Sequence, residues 1–177
     1  MRLKIWVGLG VLLVLVLMLG TGCVKKEVCP EPGEASMMEK KDQEAMRERS
    51  MQEQAAAKRA MQRAENELQV NRIYFDFDKY DLKSESKTVL KGKAGILKKY
   101  KGWKMLIEGH CDERGTEEYN LALGERRARA AYEFLVILGV ESSRLKIVSF
   151  GEERPANPGH SETAWAKNRR DEFKVFK

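Results

Sequence analysis

Apolar and polar positions change rhythm along the chain, and each change marks a predicted element. Ile5 to Leu19 is an apolar run broken only by Gly8 and Gly10. From Met37 to Leu68 the residues are mostly Ala, Glu, Lys, Arg, Gln and Met, all strong helix formers. Ala57, Met61, Ala64 and Leu68 form a thin stripe there, too weak to specify a coiled coil. At Val70 the texture changes. Ile73-Tyr74-Phe75-Asp76-Phe77 is rich in β-formers and predicts a strand. Ser84 is placed to cap a helix reaching about Tyr100, with Val89, Leu90, Ala94, Leu97 and Tyr100 at helical spacing. Trp103, Met105 and Ile107 then alternate with Lys104, Leu106 and Glu108, a second strand. His110 to Thr116 is a polar loop, and Glu117 to Leu138 a long helix ended by Gly139. Leu145, Ile147 and Val148 begin a third strand that stops at Gly151. A Pro/Gly loop follows over Glu152 to His160, and Asp171 to Phe176 is the last strand. The order β-α-β-α-β-β predicts an α/β domain, an α+β sandwich with helices on one face of a mixed sheet.

The pattern divides the chain into three stretches. Residues 1–22 pair a positive start, Arg2 and Lys4, with the apolar run and the small residues Gly20-Thr21-Gly22, just before Cys23. That composition predicts a secretory signal cleaved before Cys23. Ile5 to Val24 is uncharged for 20 residues, so a retained membrane-spanning helix is the competing reading. Residues 23–69 contain no aromatic residue, and Pro30-Glu31-Pro32-Gly33 breaks regular structure near their start. They read as a partly helical or disordered tether, with a self-associating or partner-binding helix as the alternative. Residues 70–177 hold the folded domain.

Charge changes this picture little. The 177 residues carry 33 Lys and Arg against 27 Asp and Glu, a net charge of +6. Of that, +2 lies in residues 1–22, −1 in 23–69 and +5 in 70–177, with no block of five like charges in the domain. This is not the basic stripe of a nucleic-acid binder. Three cysteines are too few for a disulfide-stapled scaffold.

Candidate chemistry narrows quickly. Asp76-x-Asp78 begins like a calcium loop, but Tyr80, Asp81 and Lys87 stand where an acceptor, a glycine and a glutamate are needed. His110-Cys111-Asp112-Glu113 and the distant His160 fit no zinc spacing. Neighbours on an extended segment point opposite ways, so His110 is badly placed as a base for Cys111. No metal, cofactor or catalytic residue is expected; an enzyme and a nucleic-acid binder stay as alternatives.

A loop-helix pair is more informative. Asn120, Leu123, Gly124 and Arg127 lie at i, i+3, i+4 and i+7, on one helix stripe. The loop carrying Asp112 precedes that helix. Asp112 and Arg127 are thus able to face one groove, separated by roughly the length of an amino-acid head. Arg suits a carboxylate and Asp an ammonium. The alternative is local: Asp112 caps the helix or pairs with Arg126 or Arg127.

These residues also carry a resemblance. Glu108 to Thr116, Tyr119-Asn120 and Gly124-Glu125-Arg126-Arg127-Ala128 resemble the OmpA-like peptidoglycan-binding domain family. Tyr74 to Asp78, Val148 to Glu152 with Pro155, and Lys167-Asn168-Arg169-Arg170 resemble its Pal branch, the peptidoglycan-associated lipoproteins. Thr21-Gly22-Cys23 is similar to the end of a bacterial lipoprotein signal, with Gly20 where Leu is usual. The resemblance implies a protein anchored to the outer membrane through acylated Cys23, with its domain facing the periplasm. It implies noncovalent binding of the diaminopimelate stem peptide of peptidoglycan, Asp112 taking the ammonium and Arg127 the carboxylate. Phe75, Asp76, Asn120, Leu123 and Arg170 match positions at or near that groove. It further implies a place in the Tol-Pal system, in envelope integrity and constriction at division, with TolB as a partner.

Overall fold

The computed structural model describes residues 32–177. The export signal, Cys23 and Cys29 lie outside the described residues. The chain divides after Arg47 into two units. In the first, the described residues belong to helix α1 (Pro32–Val70) and are exposed wherever their side chains are described. The second, Glu48–Lys177, contains the rest of α1 and every other element. No helix among the described residues is long and apolar enough to cross a membrane.

After α1 come β1 (Ile73–Tyr74), α2 (Ser84–Lys99), β2 (Lys104–His110) and α3 (Glu117–Ile137). A 3-10 turn (Ser142–Arg144), β3 (Leu145–Gly151), α4 (Glu162–Asn168) and β4 (Arg170–Phe176) complete the chain. The sheet order is β1-β4-β2-β3. β2 and β3 are parallel, whereas β4 is antiparallel to both β1 and β2, so the sheet is mixed as expected.

Alternation sorts the sheet's two faces. Met105, Ile107 and Phe173 are buried and join Leu90, Ala94 and Leu97 of α2 and Ala128, Ala131 and Leu135 of α3 in one core. Leu106, Glu108 and His110 point the other way, as period two requires. Helix α3 sits very close to β2. A Cβ on Gly109 would run into the carbonyl of Gly124, so Gly109 must be glycine for the two backbones to meet, while a Cβ on Gly124 would crowd the Ser149 hydroxyl and the Gly109 carbonyl. This contact lays the stripe Asn120, Leu123, Arg127 against the end of β2.

Several boundaries differ from the sequence expectation. The first strand covers only Ile73–Tyr74, because the chain then bends into a turn with Asp78 at φ +53°. Lys83, not Ser84, is the residue before α2, and no side chain caps it. Helix α4 (Glu162–Asn168) lies between the Pro/Gly loop and the last strand, where the sequence reading assigned no element. Its signal was Ser161, whose side chain accepts from the Ala164 N–H, with Glu162 in the first turn. The end of α1 also packs on the domain. Leu68 is fully buried, and buried Lys93 donates to the Leu68 carbonyl while lying 4.1 Å from the centre of the Phe173 ring. Burial pulls the Lys93 ammonium down to about 7.

Candidate functional site

Three segments meet at the C-terminal end of β2: the turn after β1, the loop 111–116 and the first three turns of α3. Thr116 caps α3, its hydroxyl accepting from the Tyr119 N–H. Between the segments lies a cavity of about 210 Å³, lined by Asp112, Arg114, Asn120, Leu123, Arg127 and Arg169 among others. Phe77, Asp78 and Tyr119 also border it, and the Tyr119 hydroxyl donates to the Asp78 carboxylate.

Arg127 forms the floor. It is fully buried. Its Nε donates to the Lys79 carbonyl (2.8 Å), Nη1 to the His110 carbonyl (2.9 Å) and Nη2 to the Asp76 carbonyl (3.2 Å). Nη1 also lies 3.4 Å from Cys111 Sγ. Four of its five N–H groups are thereby engaged. None of these partners is a carboxylate. Burial pulls the guanidinium below its usual value, partly offset by Cys111, Asp171 and Asp112 nearby. A guanidinium remains charged in proteins even so. The floor therefore holds a positive charge whose hydrogens are met by neutral acceptors.

Asp112 sits beside it, 4% exposed. Its Oδ1 accepts from the Arg114 N–H (3.2 Å) and Nε (3.3 Å), and its Oδ2 from Arg114 Nη2 (2.8 Å) and Arg169 Nη1 (3.0 Å). Burial pushes this carboxyl up, but the bonds from Arg114 and Arg169 outweigh it and hold it below the ordinary carboxylate value. Asp112 thus pairs neither with Arg126 nor with Arg127, contrary to the local alternative drawn from spacing.

The structure brings Asp112, Asn120, Leu123 and Arg127 to one cavity and places three other predicted residues apart from its lining. Phe75 is buried beneath Arg127, 5.1 Å from ring centre to guanidinium. Asp76 contributes its carbonyl to Arg127, while its carboxylate turns out to Lys83. Arg170 begins β4 and pairs with Glu172, two residues on and on the same face (2.7 Å). Its neighbour Arg169, just before the strand, reaches Asp112 instead. Asn120 spends its amide on the Arg114 carbonyl and Glu152, so it ties two loops together. Arg114, Arg169, Phe77 and Tyr119 stand in the quoted motifs, but the sequence reading did not name them as site residues. A loop arginine two residues after an aspartate was the available signal for Arg114.

Cys111 is buried, and burial pushes its thiol up to about 11. A protonated thiol bonded to the Asn120 carbonyl is a poor nucleophile. On the face of the sheet away from the core, ligand atoms of Glu108, His110 and Glu172 lie within 4.8 Å of one another. Both carboxylates are already paired, Glu108 with Lys174 and Glu172 with Arg72 and Arg170. The grouping is an ion-pair network whose charge is already answered.

Residues 74–169 match the OmpA family. Over 105 residues the chain is 50% identical to the peptidoglycan-associated lipoprotein of Pseudomonas aeruginosa, covering 59% of this chain and 62% of that one. Over 107 residues it is 48% identical to the protein of the same name from Haemophilus influenzae, covering 60% and 70%. The match thus spans about three fifths of the first of these relatives. The crystal structure of the peptidoglycan-associated lipoprotein from Burkholderia pseudomallei superposes with a TM-score of 0.58 at 43% identity, over 59% of this chain and 89% of that one.

Proposed function

The chain belongs to the OmpA family, and from that premise we propose that it is an outer-membrane lipoprotein whose domain binds peptidoglycan without making or breaking a bond. The ligand is the diaminopimelate residue of the stem peptide, whose ammonium and carboxylate sit on one carbon. The observation that carries this reading is the shared cavity of Asp112 and Arg127, an acid and a base at one small opening. Arg127 has a donor in reserve and no acid of its own, which suits a ligand carboxylate. Asp112 suits the ammonium. Leu123 supplies apolar wall, and Phe75 and Asp76 support Arg127 from below. Cys23 carries the lipid, and residues 23–69 span from membrane to wall. TolB is the protein partner, within a Tol-Pal system that keeps the envelope intact and draws it in at division.

The test is retention on purified diaminopimelate-type sacculi. The parent protein should sediment with them, and Asp112→Ala and Arg127→Ala should stay in solution. Parent-like retention of both variants would remove the site, and release of muropeptides would mean an enzyme. Fatty-acid labelling lost in Cys23→Ser tests the anchor.

A further inference from the structure

Asp112 already has two cations on it. Arg114 takes both its oxygens, and Arg169 shares Oδ2. An arriving ammonium would meet a neutralised acid and two like charges. One of the cations must therefore yield if Asp112 is to serve the ligand.

The two are held very differently. Arg169 is buried; its Nε donates to the Phe75 carbonyl (3.1 Å) and its Nη2 to Glu162 (2.7 Å). It is fixed on three sides. Arg114 has a side chain 31% exposed. Its guanidinium lies between two rings, 3.9 Å from the centre of Phe77 and 4.3 Å from that of Trp165. Trp165 is itself held, its indole N–H donating to Glu113 (2.8 Å). A planar cation keeps its attraction to ring faces while it slides between them. A second carboxylate is within reach, because Arg114 Nη2 is 2.8 Å from Asp112 Oδ2 and 3.6 Å from Glu162 Oε2, the oxygen that Arg169 does not take. Under one ångström separates the two distances.

We propose that Arg114 is a displaceable counter-ion. It holds the place of the ligand's ammonium on Asp112 and passes to Glu162 when that ammonium arrives, staying between Phe77 and Trp165. Two consequences follow. Asp112 is ionised and aimed before the ligand comes, so little ordering remains to be done. The ligand must also bring a full positive charge, because a hydroxyl or an amide competes poorly with a guanidinium for a carboxylate. Arg114 thus lowers affinity and raises specificity.

This inference rests on the wall-peptide reading, and calorimetry on the full chain separates the two. The probes are the stem tripeptide ending in meso-diaminopimelate and an analogue with hydrogen in place of the side-chain ammonium. Arg114→Gln should bind the tripeptide about fivefold tighter, with the analogue unchanged. Arg114→Lys, which keeps charge but loses the planar group, should move the same way by less. Glu162→Gln removes the destination and should weaken the tripeptide about threefold while sparing the analogue. A merely structural role would move both probes together. If the parent protein binds and Arg114→Gln weakens the tripeptide, or shifts both probes equally, the counter-ion idea fails alone. If the parent does not bind the tripeptide, the wall-peptide reading fails as well.

Discussion

Arg127 and Arg144 solve one problem at opposite ends of the sheet. Both are buried guanidiniums, and both give their hydrogens to backbone carbonyls. Arg144 donates through Nε and Nη2 to Trp103 (2.8 and 2.6 Å) and through Nη2 to Leu97 (2.8 Å) and Tyr100 (2.9 Å). Those carbonyls close the end of α2, where unpaired acceptors and the negative end of the helix dipole answer a positive charge. Arg127 takes its carbonyls from a turn and a strand end, Asp76, Lys79 and His110. There the hydrogens are satisfied but no helix end answers the charge, and the group lines a cavity. Burial of an arginine is therefore no mark of a site. What its surroundings leave unanswered is the mark.

The difference is best tested from its structural end. Arg144→Ala strands several buried carbonyls and should cost about 3 to 4 kcal/mol in denaturant unfolding. The folded fraction should keep its affinity for sacculi; a loss would erase the distinction. Arg127→Lys keeps the charge but not the forked donors. It should cost about 2 kcal/mol of stability and about tenfold or more in affinity. Asp171 belongs only to the Arg127 end. It is fully buried with both oxygens unpartnered, and burial raises its carboxyl well above the ordinary value despite Arg127 and Arg170. An acid whose value is raised by folding contributes most when protonated, below about pH 4, and loses that contribution as pH rises. Asp171→Leu should thus gain about 1 to 2 kcal/mol at neutral pH. The gain should shrink toward pH 4; a gain independent of pH would show that the carboxyl is not the cause. Asp112 has the opposite sign. Its folded value is lowered, so its contribution is present above about pH 4 and lost as pH falls further. Asp112→Asn should cost about 1 kcal/mol at pH 7. The gap to the parent should close on acidification, and a constant gap would contradict the ion-paired geometry.

The same contrast explains what the sequence made legible. Period-two and helical spacing located β2, β3, β4, α2 and α3 within a residue or two, because their apolar faces are long enough to repeat. The stripe Asn120, Leu123, Arg127 was readable for the same reason. Helix α4 is only seven residues and carries one fully buried apolar side chain, Ala164, so it has no repeat to read. Arg169 and Arg170 show the finer limit. Adjacent arginines look equivalent in a sequence, yet the start of β4 between them sends one to Asp112 and the other to the opposite face. Pairings such as Arg114 with Phe77 and Trp165 join three separate segments, and no local pattern encodes them.

The last turns of α1, from Glu65 on, run along the domain, with a mechanical consequence. Glu65 meets Lys177 (3.1 Å), beside the first residue of β2. Leu68 then lies with Lys93 near Phe173, level with Ile107, and Ile73 is level with Gly109. The chain enters at one end of the sheet and climbs toward the other, where Asp112 lies just beyond β2. A pull between the helix and a ligand held at Asp112 therefore runs lengthwise along the strands. Interstrand hydrogen bonds lie across that direction, so they share the load in shear and do not open one after another like a zip.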